Sequence, residues 1–177
     1  MVDAPLNGGP APARRGHGRL SLRFAEADDA DAIADLCREL LGFYGIAPPS
    51  SRAGMIHALQ RHAFGTPPPI EILLAALDEE VAGMLAFHQT FAIASCQRAL
   101  FIQDLYVLER ARGHGLGRAL MRGLAAEAQA RGCTQIDWTA DAWNHGARGF
   151  YDAFAHILQS DKVFYRLAGP GIRALLR

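Results

Sequence analysis

An α/β (α+β) fold is what this chain predicts, and three observations carry that reading. Strand-like apolar runs and helical stripes follow one another in the order β-α-α-β-β-β-α-β-α-β. Two of the runs flank the acidic turn Asp78-Glu79-Glu80, which makes part of the sheet antiparallel. A third run passes through a glycine loop into a helix and returns as a strand, so a helix crossing and a parallel pair join the same sheet.

The elements follow in order. Residues 20–25 open as a strand, and Asp28 or Asp29 is placed to cap the helix that follows. In that helix Ile33, Leu36, Cys37, Leu40 and Leu41 recur at helical spacing, and Gly42 and Gly45 end it. A second helix is expected over residues 51–64, with Met55, Ile56, Leu59 and Ala63 on one face, until "GTPPP" stops it. The hairpin around Asp78 comes next, then a strand over 98–108. The helix after the glycine loop shows Leu116, Leu120, Leu124 and Ala128 on one stripe and stops near Gly132. "TQIDWTA" at 134–140 alternates as a strand, Asn144 starts a short helix to about 155, and "KVFYRL" at 162–167 reads as a closing strand. The last residues, 169–177, read as a short helix or a trailing end.

With 177 residues, half of them hydrophobic, the chain is long enough to bury a core. Residues 1–18, rich in Pro, Gly, Ala and Arg, lack apolar content to offset ordering and are expected to be a disordered tail before one domain at 19–177. That tail has no apolar core of a secretory signal, and no run approaches the length of a membrane helix. Lys plus Arg and Asp plus Glu balance at 18 each, so no charge field draws the chain to nucleic acid or membrane. Cys37, Cys96 and Cys133 are an odd set without metal-ligand spacing, which reads as reduced core thiols in a cytoplasmic protein with no metal.

The stretch "DLYVLERARGHGLGRALM" carries the chemistry. A helix start has free N–H groups and the positive end of the peptide dipole, and so attracts anions. Gly113, Gly115 and Gly117 let a phosphate reach that backbone, and Arg112 adds charge beside it. The Lys-Ser/Thr pair of a nucleotide P-loop is absent, and so is the spacing of a dinucleotide fingerprint.

Arg112-x-x-Gly115-x-Gly117 after "DLYVL" resembles the acyl-CoA signature of the GNAT N-acetyltransferase superfamily. "NHGARGFY" at 144–151 is similar to that superfamily's N-x-x-A-x-x-F-Y motif, and "LRFAEADDADAIADL" to its first strand and helix. The resemblance spans about residues 19–167. It implies a mostly antiparallel sheet splayed at a parallel pair and flanked by helices, with acetyl-CoA as co-substrate. It also implies site roles. The amides of Arg112, Gly113, His114, Gly115, Leu116, Gly117 and Arg118 would hold the pyrophosphate. Leu105, Tyr106 and Val107 would offer backbone groups to pantetheine, and Asn144 and Ala147 would flank it near the sulfur. A backbone N–H near Tyr106 would stabilise the oxyanion, and Tyr151 would protonate the departing sulfur. Asp104, His88, Asp141 or a water held by Gln103 are candidates for the base.

Within the superfamily the spacing, "AWN" and "YRL" look most like the diamine (spermidine/spermine) acetyltransferases. Here Gln103 stands where that group has an acid, and Phe43-Tyr44-Gly45 replaces a second one. A polycation needs carboxylates to offset desolvation. Tyr44, Phe43, Phe91, His88 and Gln103 instead suit a primary amine of a small molecule, amino acid or peptide, with a polyamine or diamine kept as the alternative acceptor. The competing readings are a coenzyme A-binding or protein-interaction module without turnover, and a nucleotide-phosphate site. The apolar character of the last strands suggests a homodimer.

Overall fold

The computed structural model describes residues 18–175; residues 1–17 of the expected tail lie outside the described residues. The described chain forms two compact units, the first reaching Trp138 and the second starting at Thr139.

The first unit contains β1 (Leu20–Phe24), α1 (Ala30–Phe43), α2 (Arg52–His62), β2 (Glu71–Leu77), β3 (Glu80–Ala92), β4 (Gln97–Val107), α3 (Leu116–Ala130) and β5 (Gln135–Asp137). The strands form one sheet in chain order, antiparallel from β1 to β4 and parallel between β4 and β5. Residues 72–75 of β2 and 82–87 of β3 are buried without alternation, so both sheet faces are covered. α1 packs on β3 and β4, α2 on α1, and α3 on β1 through β4. Phe87, Leu85, Leu100, Leu120 and Leu124 are buried at the centre of this sandwich.

The local reasons are legible. The hairpin turn is the pair Asp78 and Glu79, with φ of 50° and 72°, the positive dihedrals that match strand twist. Asp78 steadies it by accepting the Arg19 N–H at 2.8 Å. At the entry to α1, Asp29 does not cap free helix amides as expected. A 3-10 turn at Ala27–Asp29 precedes the helix, and the Asp29 carboxylate instead accepts from the Glu26 N–H at 2.8 Å and from both Arg23 amino nitrogens at 2.6 Å. Arg23 thereby holds the Asp29 carboxyl below its ordinary pKa. In α2, Ser51 is the cap, its hydroxyl accepting from Gly54 N–H at 3.2 Å. At the far end of α3, Arg131 bonds Glu71 of β2 at 2.5 and 2.7 Å and Glu127 at 2.8 Å, with its guanidinium 5.5 Å from the Phe87 ring centre.

The second unit holds α4 (His145–Asp152) and α5 (Gly169–Ala174). Phe150 meets Tyr151 and Phe154 edge-on, with ring centres 5.2 Å apart in each pair. The closing strand expected at 162–167 is not formed. Val163, Phe164 and Tyr165 are 69%, 66% and 87% exposed, and three successive bulky residues give no two-residue alternation to seat one face on a sheet. The strand expected at 134–140 shortens to three residues. The cysteines form no disulfide, but they are not all core thiols: Cys96 is exposed in the β3–β4 turn at φ 52°, and Cys37 and Cys133 are half-buried.

Candidate active site

The parallel pairing of β4 with β5 is three residues long: Ala99, Leu100 and Phe101 face Gln135, Ile136 and Asp137. β4 continues to Val107, still laddered to β3 on its other edge. From Ile102 to Val107, then, β4 pairs with β3 alone among the described strands. Leu105, Tyr106 and Val107 lie on this stretch.

Beyond it a 3-10 turn at Glu109–Ala111 leads to the glycine turn. Gly113 and Gly115 have φ of 81° and 86°, a region that costs a side-chain-bearing residue about 1–2 kcal/mol. A Cβ built on either would meet nothing within 4 Å. The need for glycine here is therefore conformational, and the space in front of the backbone is open. Gly115 is the N-cap of α3 and has no side chain to accept from the first amides. Leu116 is buried, His114 and Arg118 are exposed, and Gly117 is intermediate. The Arg112 amide is already bonded, donating to Glu109 O at 3.1 Å. His114 folds back on the loop, with Nδ1 3.1 Å from Arg112 O and 3.3 Å from Ala111 O.

A β-bulge shapes the middle of β4. Ala86 faces Asp104 and the adjacent Phe87 faces Ile102, so Gln103 is the extra residue. Strict alternation would place Asp104 on the face of Ile102; the bulge resets it to the face of Tyr106, toward α1. Two observations agree. Asp104 lies close enough to Cys37 of α1 to raise its thiol pKa, which desolvation and that charge push up to about 11. Tyr106 is buried on the same side, and burial raises its phenol pKa against an opposing effect from Arg112. The Asp104 carboxylate still meets solvent, yet the atoms around it remove enough water to raise its pKa. Gln103 is exposed beside it.

The remaining residues lie on several elements. His88 of β3 stacks obliquely on Phe101, with ring centres 5.5 Å apart. Tyr44 ends α1 with its ring edge-on to Phe43 at 5.3 Å, and Phe91 is 58% exposed at the end of β3. In the second unit, Asn144 caps α4, its Oδ1 accepting from Ala147 N–H at 3.0 Å. The N-x-x-A spacing is thus explained within the helix itself. Tyr151 lies on α4 against Phe150, and Asp141 is exposed before it. Bulge and Cys37–Asp104 proximity were missed from sequence; two successive polar residues, Gln103-Asp104, inside an apolar strand are the signal that points to the bulge.

An open groove of about 550 Å³ lies on the β1 side of α3, lined by Leu20, Leu22, Gly115, Arg118 and Arg122 among others. Gly115 and Arg118 of this lining also belong to the glycine turn and the first turn of α3. Among the described residues no three His, Cys, Asp or Glu side chains gather as a metal site, and no helix is long and apolar enough to cross a membrane.

A mixed sheet, parallel only at β4–β5 and flanked by helices, is the fold of the acyl-CoA N-acyltransferases. The chain belongs to the acetyltransferase (GNAT) family, which it matches over residues 33–155, and is an acetyl-CoA-dependent N-acetyltransferase. It is similar to the D-amino-acid N-acetyltransferase of Saccharomyces cerevisiae, with 29% identity over 89% of this chain and 96% of that one. A thialysine N-epsilon-acetyltransferase of Caenorhabditis elegans is 31% identical over 56% of this chain and 63% of its own length. Among solved structures, an integron cassette protein from the mobile metagenome of V. cholerae aligns with TM-score 0.80 and 25% identity, covering 89% of this chain and 98% of that one.

Proposed function

We propose that the chain, as one domain over 19–177, acetylates a primary amine carried by an amino acid or a similarly small molecule or peptide. The observation that carries this reading is the three-residue β4–β5 pairing that leads into an uncapped glycine turn. The β4 edge offers main-chain donors and acceptors to pantetheine as a missing strand would. The amides of residues 113–118 suit the pyrophosphate, because nothing of the protein fills the space before Gly113 and Gly115. Bound acetyl-CoA supplies the thioester carbon that the amine attacks.

Asp104 is the base in this account. Its raised pKa makes it a better proton acceptor than an ordinary aspartate, and the bulge turns it toward α1. The N–H near Tyr106 stabilises the oxyanion, and Tyr151 gives its proton to the sulfur as the C–S bond breaks. Tyr44, His88 and Gln103 shape the acceptor side. One carboxylate with Gln103 beside it matches a single ammonium better than a polycation. Two relatives named above act on amines of amino acids, which supports the same choice. We place the enzyme in the cytoplasm, in keeping with three free thiols. We propose a homodimer that covers the exposed apolar side chains of 158–175.

The test is release of free thiol from acetyl-CoA with D-amino acids, thialysine, ornithine, peptides and spermidine. Turnover of amino-acid amines is expected. Efficient turnover of spermidine alone overturns the acceptor assignment in favour of the diamine group, and coenzyme A binding without thiol release from any amine overturns catalysis.

A further inference from the structure

Arg112 begins the glycine turn, and its position suggests a charge for the bound phosphates. The side chain goes elsewhere. Its guanidinium carbon is 5.6 Å from the Phe43 ring centre and 5.7 Å from the Tyr106 ring centre. Its Nε donates back to Val107 O at 3.2 Å. One planar cation thus joins three places: the last residue of α1, the buried ring at the end of β4, and the strand's final carbonyl. Phe43 in turn holds Tyr44 edge-on.

We infer that Arg112 is a positioning residue for the acceptor side, pinning the Phe43-Tyr44 corner of α1 to β4, and that its side chain is not a phosphate ligand. This rests on the reading above that the amine enters beside Tyr44 and Asp104. The geometry uses what distinguishes arginine from lysine. A flat guanidinium can lie on two rings while its Nε–H bonds a carbonyl; an ammonium on a flexible stem cannot reproduce all three contacts. A phosphate, by contrast, is served by either cation. The carbonyl bond holds the side chain against β4, and the Arg112 amide bond to Glu109 fixes the backbone from which it starts.

The experiment separates the two roles. Arg112→Lys, Arg112→Ala and Phe43→Leu are each measured for coenzyme A affinity by calorimetry and for KM of the amine and kcat, with thermal melts confirming folding. Arg112→Lys and Arg112→Ala are expected to raise the amine KM about three- to tenfold while coenzyme A affinity stays within about twofold of wild type. Phe43→Leu is expected to give the same KM change, and combining it with Arg112→Lys to add little more. Loss of coenzyme A affinity by about tenfold in Arg112→Ala, with Arg112→Lys close to wild type and Phe43→Leu silent, overturns the inference. If wild-type protein itself fails to bind coenzyme A, the functional reading falls instead, and the calorimetry shows that before any variant is compared.

Discussion

Replacing Gly115 with alanine tests the glycine turn, because strain and ligand contact can be separated. With φ at 86°, the variant places a side chain in the left-handed region, which costs about 1–2 kcal/mol. No atom within 4 Å of the new methyl adds a clash. For a domain of this size each kcal/mol lowers Tm by about 2–4 °C, so a fall of about 2–8 °C is expected. The methyl also occupies the approach to the α3 amides. Loss of one charge-assisted hydrogen bond, about 1.5–3 kcal/mol, weakens coenzyme A about ten- to hundredfold. Gly132→Ala is the matched control: its φ is 66°, its Cβ also meets nothing, and it lies at the opposite end of α3. Thermal melts and calorimetry should show both variants destabilised and only Gly115→Ala impaired in binding. Equal destabilisation with wild-type coenzyme A affinity in both would refute the reasoning.

Three further outcomes are expected. Burial raises the Asp104 pKa in the fold, so its protonated form is favoured there and its charged form costs stability once pH exceeds the folded value. Asp104→Asn should therefore raise Tm at pH 7 relative to wild type, with the difference vanishing at about pH 3 and below, and should remove the carboxylate limb from the kcat/KM pH profile; an unchanged limb counts against Asp104 as base. A thiol reagent at pH 8 should label exposed Cys96 well before Cys37, whose pKa is pushed up to about 11, and mass spectrometry of the time course checks the order. Arg131→Met should lower stability by about 1–3 kcal/mol, read from denaturant melts, because it leaves half-buried Glu71 and Glu127 without their shared cation.

Most of the sheet could be read from the sequence because its signals are local. The stripe of Leu116, Leu120 and Leu124 is buried as its spacing requires, and the acidic pair at Asp78 turns the hairpin. The glycine turn was legible for the same reason: positive φ and a helix start are properties of a few adjacent residues. What stayed hidden depends on partners far away in the chain. The length of the β4–β5 pairing is set by strands whose paired residues are 36 positions apart, and the bulge at Gln103 by the register against β3. The strand expected at 162–167 followed composition, whereas a strand needs a ladder partner. Arg112 was placed by its neighbours in sequence, yet its contacts include Phe43, which only folding brings near.

Amide hydrogen exchange with and without coenzyme A measures the central claim, that the cofactor lies along the parted edge of β4 and on the start of α3. Slower exchange at residues 103–107 and 113–118, with the β1–β2 ladder unchanged, is the predicted result. Protection confined to other residues, or none at 113–118 under saturating coenzyme A, would contradict it.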